Sequence, residues 1–346
     1  MYRYRRNSGG VGQSLTQPIE MSSEAKVLSE TAHIEHFVTY FDSKFLLIGL
    51  CLHASLLKHG QPFHLWILCM DELVEQNLRR LALPYISLIP LRDAENARLL
   101  AVKPTRSRGE YCWTLTPFTP QFVFDRDTQV SRVTYLDADL FFFSSPETIF
   151  SEFESSRKHV LITEHAYAPK LDRTAKSGRF CVQFMTFRRT QESFCVMKWW
   201  QDRCIEWCFD RNEDGKFGDQ KYLDQWPALF PNDVHILRQV EKTLAPWNVD
   251  YFLLKNPISL TPVFYHFQSF RIVGEKLARL YVGVAISENA YRFYGSYLVA
   301  IMEQAKFMKS NGIALSKMPE PQRRFSALRR LYMRLFNKVR YADLDI

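Results

Sequence analysis

Two carboxylates two residues apart, Asp137 and Asp139, close the apolar run Val133-Thr134-Tyr135-Leu136 and precede Leu140-Phe141-Phe142-Phe143. Side chains two apart on a strand point the same way, so the pair can share one cation. Carboxylate oxygens with no thiolate beside them suit a hard ion, Mg²⁺ or Mn²⁺, which also grips phosphate oxygens. Two like charges at the end of an apolar strand are costly without such an ion. In an open parallel sheet, ligands bind beyond the carboxyl ends of the strands, where this pair stands. A solvated strand-end turn is the alternative, because Asp-x-Asp alone is a common pattern; the flanking apolar and aromatic residues favour a metal.

With these neighbours, Tyr135-Leu136-Asp137-Ala138-Asp139-Leu140 resembles the Asp-x-Asp motif of nucleotide-sugar transferases with the GT-A fold. The resemblance is greatest to the glycogenin and lipopolysaccharide-galactosyltransferase type, glycosyltransferase family 8 and its bacterial relatives. It runs from about residue 36 to 270 on several segments in the expected order. It implies a nucleotide-diphosphate sugar as donor, UDP-linked in the first instance, held through a divalent ion by Asp137, Ala138 and Asp139.

The segment Thr39-Tyr40-Phe41-Asp42-Ser43-Lys44-Phe45 resembles the stretch that holds the donor's base, with Asp42 accepting a hydrogen bond from it and Phe45 stacking on it. An aromatic face suits a planar base, although relatives usually have Tyr where Phe45 stands. The other reading of Asp42 is a helix cap. Gly218-Asp219-Gln220-Lys221-Tyr222-Leu223 resembles the segment that reaches the donor sugar. By that resemblance Asp219 bonds sugar hydroxyls and Gln220 lies near the anomeric carbon, carboxylate and amide both suiting hydroxyls; Asp219 as a helix cap is compatible with this. Tyr265-His266-Phe267-Gln268-Ser269-Phe270-Arg271 resembles the segment with a late His, which makes His266 the third metal ligand. Arg271 then faces the diphosphate, since guanidinium fits phosphate oxygens, although Ser269 stands where a Gly is usual. Phe180-Cys181-Val182-Gln183-Phe184 departs further: relatives tend to have Asn-x-Gly there, and Gln183 is expected to add bulk beside the site. Leu244-Ala245-Pro246-Trp247-Asn248 resembles a segment of the bacterial relatives, with Trp247 equally readable as core.

The elements that must position these residues alternate. Strands are expected over His36–Phe41, Phe63–Met70, Tyr85–Leu91, Val133–Leu136, Val160–Thr163, Cys181–Phe187 and Val234–Leu237. Helices are expected over Phe45–Lys58, Asp71–Leu81 (capped by Asp71), Gln191–Asp210, Gln220–Trp226 and Glu288–Met308. Such alternation reads as an α/β fold with a mainly parallel sheet flanked by helices. The resemblance makes it a Rossmann-like, GT-A-type sheet with a C-terminal helical extension. The expected domains are a flexible segment over 1–32, a transferase domain over 33–300 and a basic helical extension over 301–346.

The chain has 346 residues, 47% hydrophobic and 14% aromatic, enough for one large core with aromatic walls. The formal charge of +8 favours anionic partners. Much of it lies at the ends, without the aromatic-interleaved patch of a nucleic-acid binder, so no nucleic-acid partner is expected. Over 322–340, apolar residues recur at three and four with Arg and Lys on the other faces, the pattern of a basic amphipathic helix. It either lies on an anionic membrane or docks on the protein's own core. Seven Cys, odd in number and without Cys-x-x-Cys, read as reduced thiols in a cytoplasmic protein; Cys204 and Cys208 sharing a metal is the minor alternative. Neither a signal peptide nor an apolar membrane span is visible.

The functional expectation is a metal-dependent hexosyltransferase acting on a glycan or lipid-linked acceptor in cell-envelope polysaccharide or lipopolysaccharide assembly. Two alternatives stand beside it: a weakened, nucleotide-sugar-binding relative, and a sugar nucleotidyltransferase. The second would want a Gly-rich basic loop after the first strand, where only Gly49 and Gly60 occur.

Overall fold

A computed structural model describes residues 33–256, 260–274, 276–316, 333 and 336–345. Residues 1–32, and nearly all of the expected amphipathic helix before residue 336, lie outside the described residues. The strands are β1 (Glu35–Phe41), β2 (Phe63–Cys69), β3 (Ile86–Pro90), β4 (Arg132–Leu136), β5 (Leu140–Phe142), β6 (Val160–Glu164), β7 (Phe180–Arg188), β8 (Val234–Ile236), β9 (Thr243–Leu244), β10 (Phe264–His266), β11 (Arg271–Ile272), β12 (Leu277–Val282) and β13 (Val339–Asp343). The helices that bear on the site are α1 (Leu46–His59), α2 (Glu72–Leu81), α3 (Arg108–Leu115), α4 (Gln191–Glu206) and α5 (Glu288–Ser310).

Seven strands form the main sheet in the order β3-β2-β1-β4-β7-β6-β8. The pairs β2–β3, β1–β2, β1–β4 and β6–β8 are parallel. Only β7 runs against its neighbours β4 and β6. The expected α/β fold with a mainly parallel sheet flanked by helices is therefore the observed one. β1 shows how the period-2 pattern divides the core. Phe37 and Phe41 face the cluster built with α1, whereas Val38 and Tyr40 face the opposite cluster, which α3 and α4 complete. Local signals set the helix starts: Asp71 Oδ1 accepts from the Val74 amide at 2.8 Å and begins α2. The segment expected as a helix over Gln220–Trp226 is a 3₁₀ stretch over Gln220–Gln225, followed by a short turn of α-helix.

A second sheet, ordered β5-β10-β9, was not expected. Its strands are two or three residues long, too short to show alternation. Its outer face is held by aromatic packing on α5. Phe267 stacks on Tyr297 with centroids 3.8 Å apart, Tyr265 stacks on Phe293 at 5.4 Å, and Phe141 meets Tyr297 edge-on at 5.5 Å. Pairs of this kind add to the area they bury.

The third sheet, β11-β12-β13, changes the reading of the C-terminus. Val339 and Arg340, expected at the end of a basic helix, lie in β13, which pairs antiparallel with β12. The ladder satisfies their backbone groups, and Arg340 turns to the protein, pairing with Glu288 at 2.8 Å and covering the Tyr291 ring. Helix α5 runs unbroken through the expected boundary at 300/301, with Ala300, Ile301 and Ala305 buried. All seven cysteines are free, and among the described residues no helix is long and apolar enough to cross a membrane.

Phe267 is fully buried in the clamp between β10 and α5. Phe267→Ala should therefore cost about 3–5 kcal/mol in urea unfolding, the usual loss for a deleted core aromatic. Leu254→Ala, at a position 84% exposed, should stay within about ±0.5 kcal/mol.

Candidate metal and sugar-nucleotide site

The second sheet makes the site. After β4 the chain turns at Asp137–Asp139 and leaves as β5, which pairs antiparallel with β10 so that Leu140 stands opposite His266. The Phe267 amide donates to the Asp139 carbonyl at 2.9 Å and locks this register. The Asp137 amide donates to the Gln183 carbonyl on β7 at 3.0 Å, so the turn is tied to both sheets.

The result brings together the three residues expected as ligands. His266 Nε2 lies 3.0 Å from Asp139 Oδ1 and 3.7 Å from Asp137 Oδ2. One ligand atom from each lies within 4.8 Å of the others, and this is the metal-capable group found among the described residues. Two carboxylate oxygens and one imidazole nitrogen fit a divalent ion that also takes phosphate oxygens. Cys204 and Cys208 are buried free thiols outside this group.

The three groups shift one another's proton affinity. Burial pushes Asp137 up to about 7; the Asp139 charge adds to this and His266 opposes it. Burial works in the same direction on Asp139, but the His266 charge and hydrogen bond, with help from Arg271, hold its carboxyl below the usual range. His266 moves the opposite way. Burial would lower it, yet the charge and hydrogen bond of Asp139 raise it well above the ordinary imidazole value. The three groups are thus tightly coupled, each setting the charge of the others, as groups that meet at one point do.

A cavity of about 450 Å³ opens beside the three groups. Of the residues expected to hold the donor, Tyr40, Asp219 and Gln220 line it together with Asp137, Asp139 and His266. Gln220 donates from its amide to the Ser177 carbonyl at 2.7 Å. Asp219 is almost wholly buried and its Oδ2 has no hydrogen-bond partner among the described residues. It is brought there by Gly218, whose φ of +53° an L side chain rarely adopts and whose Cβ would stand 3.3 Å from the Trp113 ring.

Thr39, Asp42, Phe45, Ala138 and Arg271 are not among the residues lining this cavity. Thr39 points into the interior. Asp42 Oδ1 accepts from the amides of Lys44 and Phe45 at 3.0 and 3.1 Å, and Oδ2 pairs with Arg108 at 2.6 Å. It therefore shapes the turn into α1. The Arg271 guanidinium lies 4.8 Å from the Phe45 ring centroid. Burial lowers its proton affinity and the Asp139 charge opposes this.

Trp113, His165 and Tyr167 line the cavity with no sequence signal assigned to them, and Cys181 and Val182 line it from the segment that departs from the Asn-x-Gly of relatives. His165 and Tyr167 directly follow β6, and the carboxyl-end rule for parallel strands would have found them. His165 stacks on Tyr167 at 4.6 Å, and Trp247 donates to the His165 carbonyl at 2.7 Å while its ring meets the His266 ring edge-on at 5.5 Å. Trp247 is thus both packed and part of the wall. Cys181 would be pushed up by burial, but the neighbouring His165 and His266 bring it down to about 6. Gln183 does not crowd the cavity: its side chain turns to His266 Nδ1 at 2.8 Å.

No family model matches the chain. The uncharacterised protein YfnF of Bacillus subtilis strain 168 is 34% identical over 241 residues, 65% of this chain and 78% of that protein. The uncharacterised protein YfnD of the same organism is 31% identical over 253 residues, 70% of this chain and 79% of that protein. Among solved structures, the glycosyltransferase GlyE of Streptococcus pneumoniae TIGR4 aligns at a TM-score of 0.47 and 14% identity, over 84% of this chain and 66% of that one. This likeness is loose and carries no residue role.

Asp219 gives a pH signature. Burial, with the Asp137 charge adding and a Thr116 hydrogen bond opposing, pushes it up to about 7. Unfolded, it titrates near 3.9. Between those values the folded state holds a proton that the unfolded chain has lost, so this group's contribution to stability falls as pH rises through about 4 to 7. Asp219→Asn removes the cost. In thermal melts the Tm difference between variant and wild type should grow in the variant's favour from pH 4 to pH 8. A difference that does not change with pH would contradict the assignment.

Proposed function

The chain belongs to the family of YfnF and YfnD of Bacillus subtilis, and we propose that this member is a metal-dependent glycosyltransferase of the GT-A type. Its donor is a nucleotide-diphosphate sugar, UDP-linked in the first instance, and its acceptor a hydroxyl of a glycan or lipid-linked molecule. The observation that carries this reading is the convergence of Asp137, Asp139 and His266 at the mouth of a cavity of about 450 Å³ that holds Asp219 and Gln220. That volume suits a small, polar ligand, and the buried, unpaired Asp219 Oδ2 seeks a donor such as a sugar hydroxyl.

Asp137, Asp139 and His266 would hold a Mn²⁺ or Mg²⁺ ion. When bound, such an ion supplies Lewis-acid and electrostatic stabilisation of charge on a departing diphosphate. The chain's own residues supply orientation and exclusion of water. Tyr135 donates to Asp137 Oδ1 at 2.8 Å and fixes that carboxylate. Arg271, whose charge interacts with that of Asp139, would meet the phosphate oxygens. Phe45, whose ring Arg271 covers at 4.8 Å, would serve the base by the family resemblance alone. Asp219 and Gln220 line the cavity and orient the sugar. Trp113 and Trp247 wall off the apolar side. An acceptor hydroxyl entering through the cavity would then attack the anomeric carbon while the diphosphate departs.

Retention of anomeric configuration, and a role in cell-envelope polysaccharide or lipopolysaccharide assembly, rest on the family 8 resemblance alone. A cytoplasmic location is supported by the seven free thiols. Contact with an anionic membrane through 322–340 rests on the basic sequence of that stretch, with Arg340 excepted because it faces the protein.

The test is turnover of a panel of nucleotide-sugars with and without Mn²⁺. Wild type should hydrolyse or transfer from at least one donor only with metal. Asp139→Ala should lose about 10²–10³-fold or more while its far-ultraviolet circular dichroism stays that of a folded protein. An Asp139→Ala protein as active as wild type would end the proposal.

A further inference from the structure

Gln183 had been expected to intrude on the cavity, and its actual position gives it a different task. We infer that Gln183 is the positioning residue of the metal centre, fixing the His266 ring so that Nε2 faces the ion; this rests on the reading of Asp137, Asp139 and His266 as metal ligands.

The Gln183 side-chain oxygen lies 2.8 Å from His266 Nδ1. Both side chains are buried, Gln183 at 1% and His266 at 6% exposure, so water does not compete for the bond. A neutral imidazole has one N–H donor and one lone-pair nitrogen. An acceptor at Nδ1 keeps a proton on that nitrogen, so Nε2, 3.0 Å from Asp139 Oδ1, is the nitrogen that gives up its own proton to offer a lone pair to the ion. A metal needs that lone pair, and an acceptor behind the ligand also raises its basicity. The Gln183 carbonyl meanwhile accepts the Asp137 amide at 3.0 Å. One residue on β7 therefore references two ligands from separate sheets to each other, the carboxylate through its backbone and the imidazole through its side chain. The Trp247 ring, edge-on to the imidazole at 5.5 Å, limits the remaining rotation.

The rival arrangement turns the amide round. Its NH₂ would then donate to Nδ1, the ring proton would sit on Nε2, and Nε2–H would point at Asp139, leaving no lone pair for a metal. Glutamate can only accept at this position when ionised, and leucine can do neither, so the substitutions separate the cases. Mn²⁺ alone is titrated by calorimetry into wild type, Gln183→Glu, Gln183→Leu and Gln183→Met, each checked for folding by circular dichroism. Gln183→Leu and Gln183→Met should bind Mn²⁺ about 10–100-fold more weakly than wild type, the usual loss when the partner behind a metal-bound imidazole is removed. Gln183→Glu should bind as tightly as wild type or tighter. Turnover by Gln183→Leu should recover as Mn²⁺ is raised, which a merely structural defect would not allow. In the Mg²⁺-loaded wild type, long-range ¹H–¹⁵N spectra of the imidazole should show the proton on Nδ1.

Wild-type-like Mn²⁺ affinity in both Gln183→Leu and Gln183→Met would overturn the positioning role and leave the metal centre standing. So would a loss in Gln183→Glu as large as that in Gln183→Leu. Absence of Mn²⁺ binding by wild type would instead overturn the metal centre itself, and this inference with it.

Discussion

The pairing of three residues of β5 with three of β10 is the constraint on which the site depends. Asp137 and Asp139 belong to the end of a buried strand of the main sheet, and His266 comes from a segment far along the chain. Setting Leu140 opposite His266 brings them within reach. A slip of one residue would turn His266 away and send Tyr265 or Phe267 into its place. Those two aromatics oppose such a slip because each has a partner on α5. The high aromatic content thus has a specific use. Phe141 and Phe143 lie toward α5 on the same side, while Phe142 packs on Phe37 of the main sheet at 6.3 Å.

A second constraint is electrostatic. The site gathers the half-buried Asp137 and Asp139 and the buried Asp219 around one cavity, and burial raises two of the three to about 7. A fold built for stability alone would not keep three such acids around one cavity. Perturbed carboxyls converging in a cleft mark a functional site. Under the proposed function the labour divides: the two nearest His266 would serve a cation, and the third would accept hydrogen bonds from a ligand.

Legibility from sequence follows from element length and from how local the signal is. The seven strands of the main sheet were readable because each presents at least a short apolar run, and α2 because Asp71 announces its cap. The metal-ligand set was readable through the Asp-x-Asp pattern at a strand end and through resemblance, and the geometry brings its members together. The second and third sheets were not readable. Strands of two and three residues such as β9, β10 and β11 carry no period, and the register of β10 is supported by contacts with α5 that no local window contains. Val339 and Arg340 continued a helical pattern of basic and apolar residues, yet a free edge of β12 outweighed it. Gln183 was misread for a related reason. Against the resembling family it is an added side chain, and only the three-dimensional position of His266 shows that the added amide has a partner.

The central claim is that one divalent ion sits among Asp137, Asp139 and His266 with room beside it for a nucleotide diphosphate. The most direct measurement is a crystal structure of the protein soaked with Mn²⁺ and UDP, with the ion located by its anomalous scattering. The account predicts a single peak within about 2.0–2.3 Å of a carboxylate oxygen of Asp139, of Asp137 and of His266 Nε2, with phosphate oxygens completing the coordination. An anomalous peak elsewhere, or a nucleotide bound with no ion among these three residues, would contradict it.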